Sequence, residues 1–219
     1  MRRHAASASE PFFSTTAKTR EMIKNQERFN KAIALFDAAN GEDPNQDQGR
    51  PKELLYAERM TEMLQRFRPD ASEAVQLAVR AQHIRRWTVP RSSYPMTKEG
   101  YYAWRTGLYK IHADTAGELM RQAGYDDAMI EQVKKAVGKR ALKVNPDTQL
   151  LEDTADLVFI EHYMLAFAHS KPDYDEAKWL EIIRKTWSKM SKNAQAFALS
   201  GKIKLPEPLV PLITKAISQ

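Results

Sequence analysis

The chain has 219 residues, with 34 Lys and Arg against 28 Asp and Glu, so its formal net charge is +6. This length fits one domain with appendages and can bury a core without disulfides. There is no cysteine, which excludes thiolate metal sites and cysteine nucleophiles and favours an intracellular, reducing compartment. The chain contains no run of 18 apolar residues, so no membrane span is predicted. The modest positive charge permits an anionic ligand without requiring nucleic acid.

The first 21 residues differ in composition from the rest. They are rich in Ser and Arg and contain few acids, with Glu10 the only acid before Glu21. Such a segment resembles a mitochondrial presequence. A flexible extension, or a true start at Met22, explains the composition equally well. The expected location is therefore cytoplasmic, or mitochondrial if residues 1–20 are a presequence.

The remaining chain shows apolar residues at helical spacing throughout, which predicts an all-α fold. Asp70 and Thr97 are suitable helix N-caps, and Asn40-Gly41 is suited to a left-handed helix stop. Residues 42–51 are polar and predict a loop. The predicted helices cover residues 27–40, 52–66, 71–85, 98–124, 126–137, 148–168 and 175–199, with a short apolar helix in the tail 206–219.

The stretch from Ala81 to Trp87 carries the densest group of functional side chains. His83 can bind a metal or exchange a proton, Arg85 and Arg86 can hold phosphate or carboxylate, and Trp87 can stack or be buried. The alternative is a basic helix end, in which the arginines favour the helix dipole and Trp87 belongs to the core.

Two later segments contain side chains that could join this group. Arg105 and His112 are seven residues apart and share one face of the same predicted helix. The central helix 148–168 is largely apolar but carries Asp153 and Asp156, and buried acids are costly unless they are paired or bound.

The order and spacing of these residues resemble the HD superfamily of helical metal-dependent phosphohydrolases. The resemblance rests on Tyr56-Ala57-Glu58-Arg59-Met60, on His83, on the helix from His112 to Tyr125, and on Leu151-Glu152-Asp153-Thr154-Ala155-Asp156-Leu157. Tyr56 stands where that family has its first His, and Ile84 where it has the Asp of its His-Asp doublet. The implied architecture is a single HD-like helical domain over residues 22–200, with an N-terminal extension (1–21) and a C-terminal tail helix (201–219).

The HD-like resemblance also implies site roles. His83, Asp153 and Glu58 would hold a divalent metal (Mn, Mg, Fe or Zn), and His112 and Asp156 would be catalytic. The substrate-binding residues would be Arg85, Arg86, Trp87, Arg105 and Tyr56. The implied ligand is a phosphorylated small molecule or nucleotide. The competing hypothesis is a non-catalytic pocket that binds an anion, a nucleotide or RNA, and the oligomeric state is not predicted.

The sequence shows two further resemblances, one over most of the chain and one over a short stretch. Residues 29–199 resemble the domain of unknown function family 4202, through Phe36-Asp37-x-Ala39-Asn40, His83-Ile84-Arg85-Arg86-Trp87 and Lys185-Thr186-Trp187. That family brings no established activity. Lys189-Met190-Ser191-Lys192 resembles the KMSKS loop of class I aminoacyl-tRNA synthetases, and His83-Ile84 resembles the start of their HIGH motif. In those enzymes both motifs neutralise the phosphates of ATP beside a sheet. Here no strand is predicted before His83, and the four residues of the KMSK stretch fall inside a predicted helix.

Overall fold

The computed structural model describes residues 23–218 and is all-α, as the sequence predicts. The predicted extension 1–21 lies outside these residues. The ten α-helices of the described part are α1 (Gln26–Gly41), α2 (Lys52–Phe67), α3 (Glu73–Arg80), α4 (Lys98–Ala123), α5 (Asp127–Val137), α6 (Pro146–Val158), α7 (Met164–His169), α8 (Glu176–Lys189), α9 (Lys192–Leu199) and α10 (Val210–Ile217). None of these helices is both long and apolar enough to cross a bilayer.

Side-chain caps fix most of the helix starts. Thr97 accepts a hydrogen bond from the first turn of α4, as predicted, and Asp126 accepts one from the first turn of α5. The cap of α3 is Ser72 rather than Asp70, which is instead paired with Arg68. The left-handed stop predicted at the C-terminal end of α1 was wrong. The helix continues through Gly41, and its C-cap residue, Glu42, has a φ of −75°.

Two predicted helices are shorter than their apolar periodicity indicated. Helix α3 ends at Arg80 rather than at residue 85, and Arg85 adopts a left-handed conformation with φ 51°. The predicted helix 175–199 is divided into α8 and α9 because Met190 is extended and Ser191 starts a new helix as its N-cap. The KMSK-like stretch therefore spans a helix junction.

The predicted loop 42–51 contains a small antiparallel hairpin. Its strands β1 (Gln46–Asp47) and β2 (Arg50–Pro51) pair Gln46 with Pro51 and Asp47 with Arg50. Gln48 and Gly49 at the turn both have positive φ, as a two-residue hairpin with the twist of type I′ requires. The hairpin leads directly into α2.

Helix α6 lies at the centre of the core and packs against α2, α3 and α5. Its apolar side chains Leu151, Leu157 and Val158 are fully buried. After Val158 the chain continues as a π-helical turn, Phe159–Tyr163, before α7. The tail helix α10 packs on α8 and buries Ile213.

Candidate functional site

A cavity of about 200 Å³ lies between the turn after α3, helix α4 and the segment after α5. We call it the cationic cavity because Arg86, Arg105 and Lys139 all line it and no Asp or Glu of the described residues does. Its remaining walls are polar or aromatic and are formed by Gln82, His83, Tyr101, Trp104, Leu108, Tyr109, His112 and Val137.

The two arginines of this cavity are held by aromatic groups rather than by acids. The guanidinium carbon of Arg86 lies 4.8 Å from the centre of the Trp104 ring. Arg105 donates from Nε to the hydroxyl of Tyr109 at 2.6 Å. Neither arginine forms an ion pair with a carboxylate of residues 23–218. Their charge is therefore available to an anion in the cavity.

Lys139 is the third cation, and its ammonium group also contacts the buried carboxylate of Glu152. Burial lowers the pKa of Lys139, although Glu152 acts to raise it. Lys139 has a positive φ of 55°, which is unusual for a residue with a side chain. This conformation occurs in the turn directly after α5.

Two histidines complete the polar wall. Nδ1 of His112 lies 2.8 Å from the carbonyl oxygen of Ile84. Burial lowers the pKa of His112 to about 3, so the ring is neutral at pH 7. A neutral ring that bonds a carbonyl through Nδ1 must carry its proton there, which leaves Nε2 as an acceptor. That Nε2 atom is buried and has no hydrogen-bond partner among the described residues.

His83 lies beside His112, with their ring centres 5.8 Å apart. Burial lowers the pKa of His83 well below its ordinary value, and the charges of Arg86, Lys139 and Arg105 add to this shift. Its Nε2 atom lies 3.5 Å from Nη1 of Arg86. His83 is thus a neutral ring surrounded by cations.

A second cavity, of about 250 Å³, lies on the other side of His83 and Arg86, which line both cavities. We call it the aromatic cavity because Tyr56, Phe159 and Tyr163 line it. Tyr56 stacks on His83 with 4.3 Å between ring centres and an angle of 13° between planes. The other lining residues are Lys52, Glu53 and Ala155.

Glu53 places a buried carboxyl group at the edge of the aromatic cavity. Its side chain is 7% exposed, and Nδ1 of the neutral His83 ring lies 3.5 Å from its carboxyl group. Burial raises the pKa of Glu53 to about 7, against the lowering effect of Arg86. The carboxyl group is therefore close to half protonated at neutral pH.

The acids of α6 form a separate network. Lys189 donates to Glu152 at 2.8 Å and to Asp156 at 2.7 Å. Asp153 accepts from both the backbone N–H and the hydroxyl of Ser191. Burial raises the pKa of Asp156, although Lys189 acts to lower it. Each of the three acids therefore has a partner in the fold, although Oδ2 of Asp156 is buried and has none among the described residues.

The structure brings only some of the predicted site residues together. His83, Arg86, Arg105 and His112 share the cationic cavity, and Tyr56 lines the aromatic cavity. The remaining predicted substrate-binding residues, Arg85 and Trp87, line neither cavity. The left-handed turn at Arg85 directs its guanidinium group to Glu42, at 3.3 Å.

The predicted catalytic and metal-binding residues are also dispersed. Glu58 pairs with Arg50, Asp153 bonds Ser191, and Asp156 bonds Lys189. Within residues 23–218, no three His, Asp or Glu side chains are placed to hold one metal ion. The set of His83, Asp153 and Glu58 is therefore not assembled, and the residues present do not fit the implied metal.

Sequence reasoning missed several residues of the two cavities. Lys139 was visible only as part of a basic stretch, and Glu53 as one acid in the first turn of a predicted helix. Tyr101, Tyr109 and Tyr163 carried no signal beyond their aromatic character. These residues can be assigned to the cavities only from the way α2, α4 and α6 pack together. The apolar periodicity of a single helix does not predict that packing.

Comparison with known proteins returns one family. No curated protein and no solved structure matches the chain, so the HD-like resemblance receives no support from a structural relative. A family model described as "Domain of unknown function (DUF4202)" matches residues 30–213, a span that includes every residue of both cavities. The chain belongs to the DUF4202 family.

Proposed function

We propose that this protein binds a small phosphorylated anion in the cationic cavity. The observation that carries the proposal is the convergence of Arg86, Arg105 and Lys139 on a cavity of about 200 Å³ that no carboxylate of residues 23–218 lines. Only Lys139 of these three contacts a carboxylate of the described residues, that of Glu152. The three cations repel one another, and a phosphate group in the cavity would relieve that repulsion.

The donor chemistry also suits phosphate. Guanidinium groups donate in a planar fork that matches two phosphate oxygens, and bonds between charged groups are stronger than neutral ones. Arg86 and Arg105 reach the cavity from different elements, the turn after α3 and helix α4, so they would contact the ligand from two directions. The orphaned Nε2 of His112 adds an acceptor for a hydroxyl group of the ligand.

The proposal is for binding rather than for hydrolysis. The phosphohydrolase expected from the HD-like resemblance needs a metal ligand set that residues 23–218 do not assemble. Nucleic acid is a less suitable ligand, because Arg86, Arg105 and Lys139 converge on one small cavity, whereas a basic stripe along a surface is typical of nucleic-acid binding.

Calorimetric titration with pyrophosphate and ribose 5-phosphate at low ionic strength tests the proposal. The test variant is Arg105→Gln, and the matched control is Arg121→Gln, which lies on the same helix but is exposed and pairs with Asp127. We expect at least about tenfold weaker binding for Arg105→Gln, the equivalent of one charge-assisted hydrogen bond, and less than twofold for the control. Equal effects of the two substitutions, or a wild-type protein that binds neither ligand, would contradict the proposal.

A further inference from the structure

The aromatic cavity has the features of a site for a flat ring. Tyr56, Phe159 and Tyr163 supply its walls, and Ala155 leaves space where a larger side chain would fill it. Tyr56 is fixed by its stacking on His83, and the ring centre of Tyr163 lies 5.8 Å from that of Tyr56. Aromatic walls of this kind stack on planar rings with little dependence on their identity.

A π-helical turn builds part of this wall. Phe159 and Tyr163 are the first and last residues of the turn, which is closed by the backbone N–H of Met164 bonding to the carbonyl of Phe159. Single π-helical turns within α-helices are rare and are frequently found at functional sites. Arg59 holds Tyr163 in place by donating to its hydroxyl at 2.9 Å.

Glu53 supplies the polar group that a ring with hydrogen-bonding edges requires. Its carboxyl group lines the aromatic cavity, is almost wholly buried, and accepts no side-chain hydrogen bond from the described residues. The nearest pairing group of this carboxyl is Nδ1 of His83 at 3.5 Å, so a ligand that donates closer hydrogen bonds would be stabilised there. The amino and ring N–H groups of nucleobases are such donors.

The two cavities are placed to hold two ends of one ligand. His83 and Arg86 line both, so the two cavities meet at this pair of side chains. Their volumes are about 200 and about 250 Å³. Each is below the roughly 300–1,000 Å³ that is typical of a small-molecule pocket, so only the two together reach that range.

We infer that the ligand is a mononucleotide, with its phosphate in the cationic cavity and its nucleobase in the aromatic cavity against Tyr56, Phe159 and Tyr163. This inference rests on the proposed function and assigns the other end of the ligand. Glu53 contacts the hydrogen-bonding edge of the base.

The test compares AMP, GMP, CMP and UMP with ribose 5-phosphate, which carries the same phosphate without a base. We expect at least one nucleotide to bind about tenfold or more tightly than ribose 5-phosphate, as stacking and edge contacts add to the phosphate contacts. Ala155→Leu, which fills the aromatic cavity, should abolish this advantage and change the affinity for ribose 5-phosphate less than twofold. Ala38→Leu, an exposed site on α1, is the control. If Ala155→Leu does not fold, Tyr163→Leu serves the same purpose.

The outcomes separate the two proposals. If ribose 5-phosphate binds and none of the four nucleotides binds more tightly, the nucleotide assignment is wrong while the phosphate site stands. The assignment is also overturned if the nucleotide advantage survives in both Ala155→Leu and Tyr163→Leu, or if a single-stranded RNA hexamer binds more tightly than every mononucleotide. A protein that binds no phosphate ester removes the proposed function, and this inference with it.

Discussion

Glu53 is the residue whose ionisation should respond most directly to a bound anion. Its carboxyl group has a pKa of about 7, raised by burial and restrained by Arg86 and then by Lys52, while Asp43 raises it and His112 has a smaller lowering effect. An anion bound to Arg86 would cancel the restraining charge and add a negative one nearby. Both changes raise the pKa of Glu53 further, so anion binding would take up a proton.

Proton uptake on binding makes the affinity depend on pH, and the direction of this dependence follows from the uptake. Because the complex holds more protons than the free protein near pH 7, binding should strengthen as the pH falls from 8 to 6. Sulfate is the suitable probe, since its own charge is constant over this range. We expect sulfate to bind about three- to tenfold more tightly at pH 6 than at pH 8.

Glu53→Gln isolates the residue responsible for this dependence. The variant has no ionisable group at position 53, so its sulfate affinity should vary less than twofold over the same range. Calorimetry in buffers of different ionisation enthalpy measures the proton uptake independently. A variant that keeps the wild-type pH dependence would assign the proton to another group, such as His83.

At the scale of elements, the acids on α6 stabilise the packing of three segments. Glu152 and Asp156 both accept from Lys189 at the end of α8, and Glu152 also contacts Lys139 after α5. Removing one member of a buried ion pair is more costly than the pair is stabilising, because a charge is left without a partner. Lys189 is therefore a structural residue rather than the ATP-binding lysine that the KMSK-like stretch suggests.

Lys189→Met should lower the free energy of unfolding by about 2–4 kcal/mol, somewhat less than for a fully buried pair because the Lys189 side chain is 34% exposed. Lys185→Met on the same helix is the control: Lys185 is 71% exposed and pairs with the half-exposed Glu181. Its effect should stay within about 0.5 kcal/mol. Urea denaturation of both variants measures the difference, and similar effects would contradict a role for the buried network.

The same elements show what the sequence could predict. Apolar periodicity located the helices, and a short polar side chain, Thr97, marked the start of α4. The break between α8 and α9 was missed because the apolar residues keep their spacing across it. It is fixed by a tertiary contact, the hydrogen bonds from Ser191 to Asp153 on α6, which no local pattern reveals.

The candidate site follows the same division between local and tertiary information. Arg105 and His112 were placed on one face because both lie on α4, and the structure puts both in the cationic cavity. The metal ligand set failed because it required α2, α6 and the turn after α3 to meet at one point. Helix packing instead directs the acids of α6 toward Lys189 and Ser191.

At the scale of the whole molecule, the tail is integrated into the main core. The sequence predicted a C-terminal tail helix within residues 201–219. Four residues of this segment are buried and belong to the same apolar cluster as the residues of α3 and α6: Ile203, Leu209, Ile213 and Ala216. Helix α10 packs on α8, whose end carries Lys189, so the tail supports the segment that holds the acids of α6. We therefore expect residues 23–218 to unfold in one cooperative transition rather than in two.

Ile213→Ala tests this integration. Its side chain is 4% exposed, and truncating a buried isoleucine to alanine costs about 2–5 kcal/mol. In a chain of this size that loss lowers the melting temperature by roughly 4–20 °C. The neighbouring exposed Thr214→Ala should shift it by no more than about 2 °C. Calorimetry should show the whole transition of Ile213→Ala moving to lower temperature. A second, separate transition that alone responds to the substitution would show that the tail folds as an independent unit.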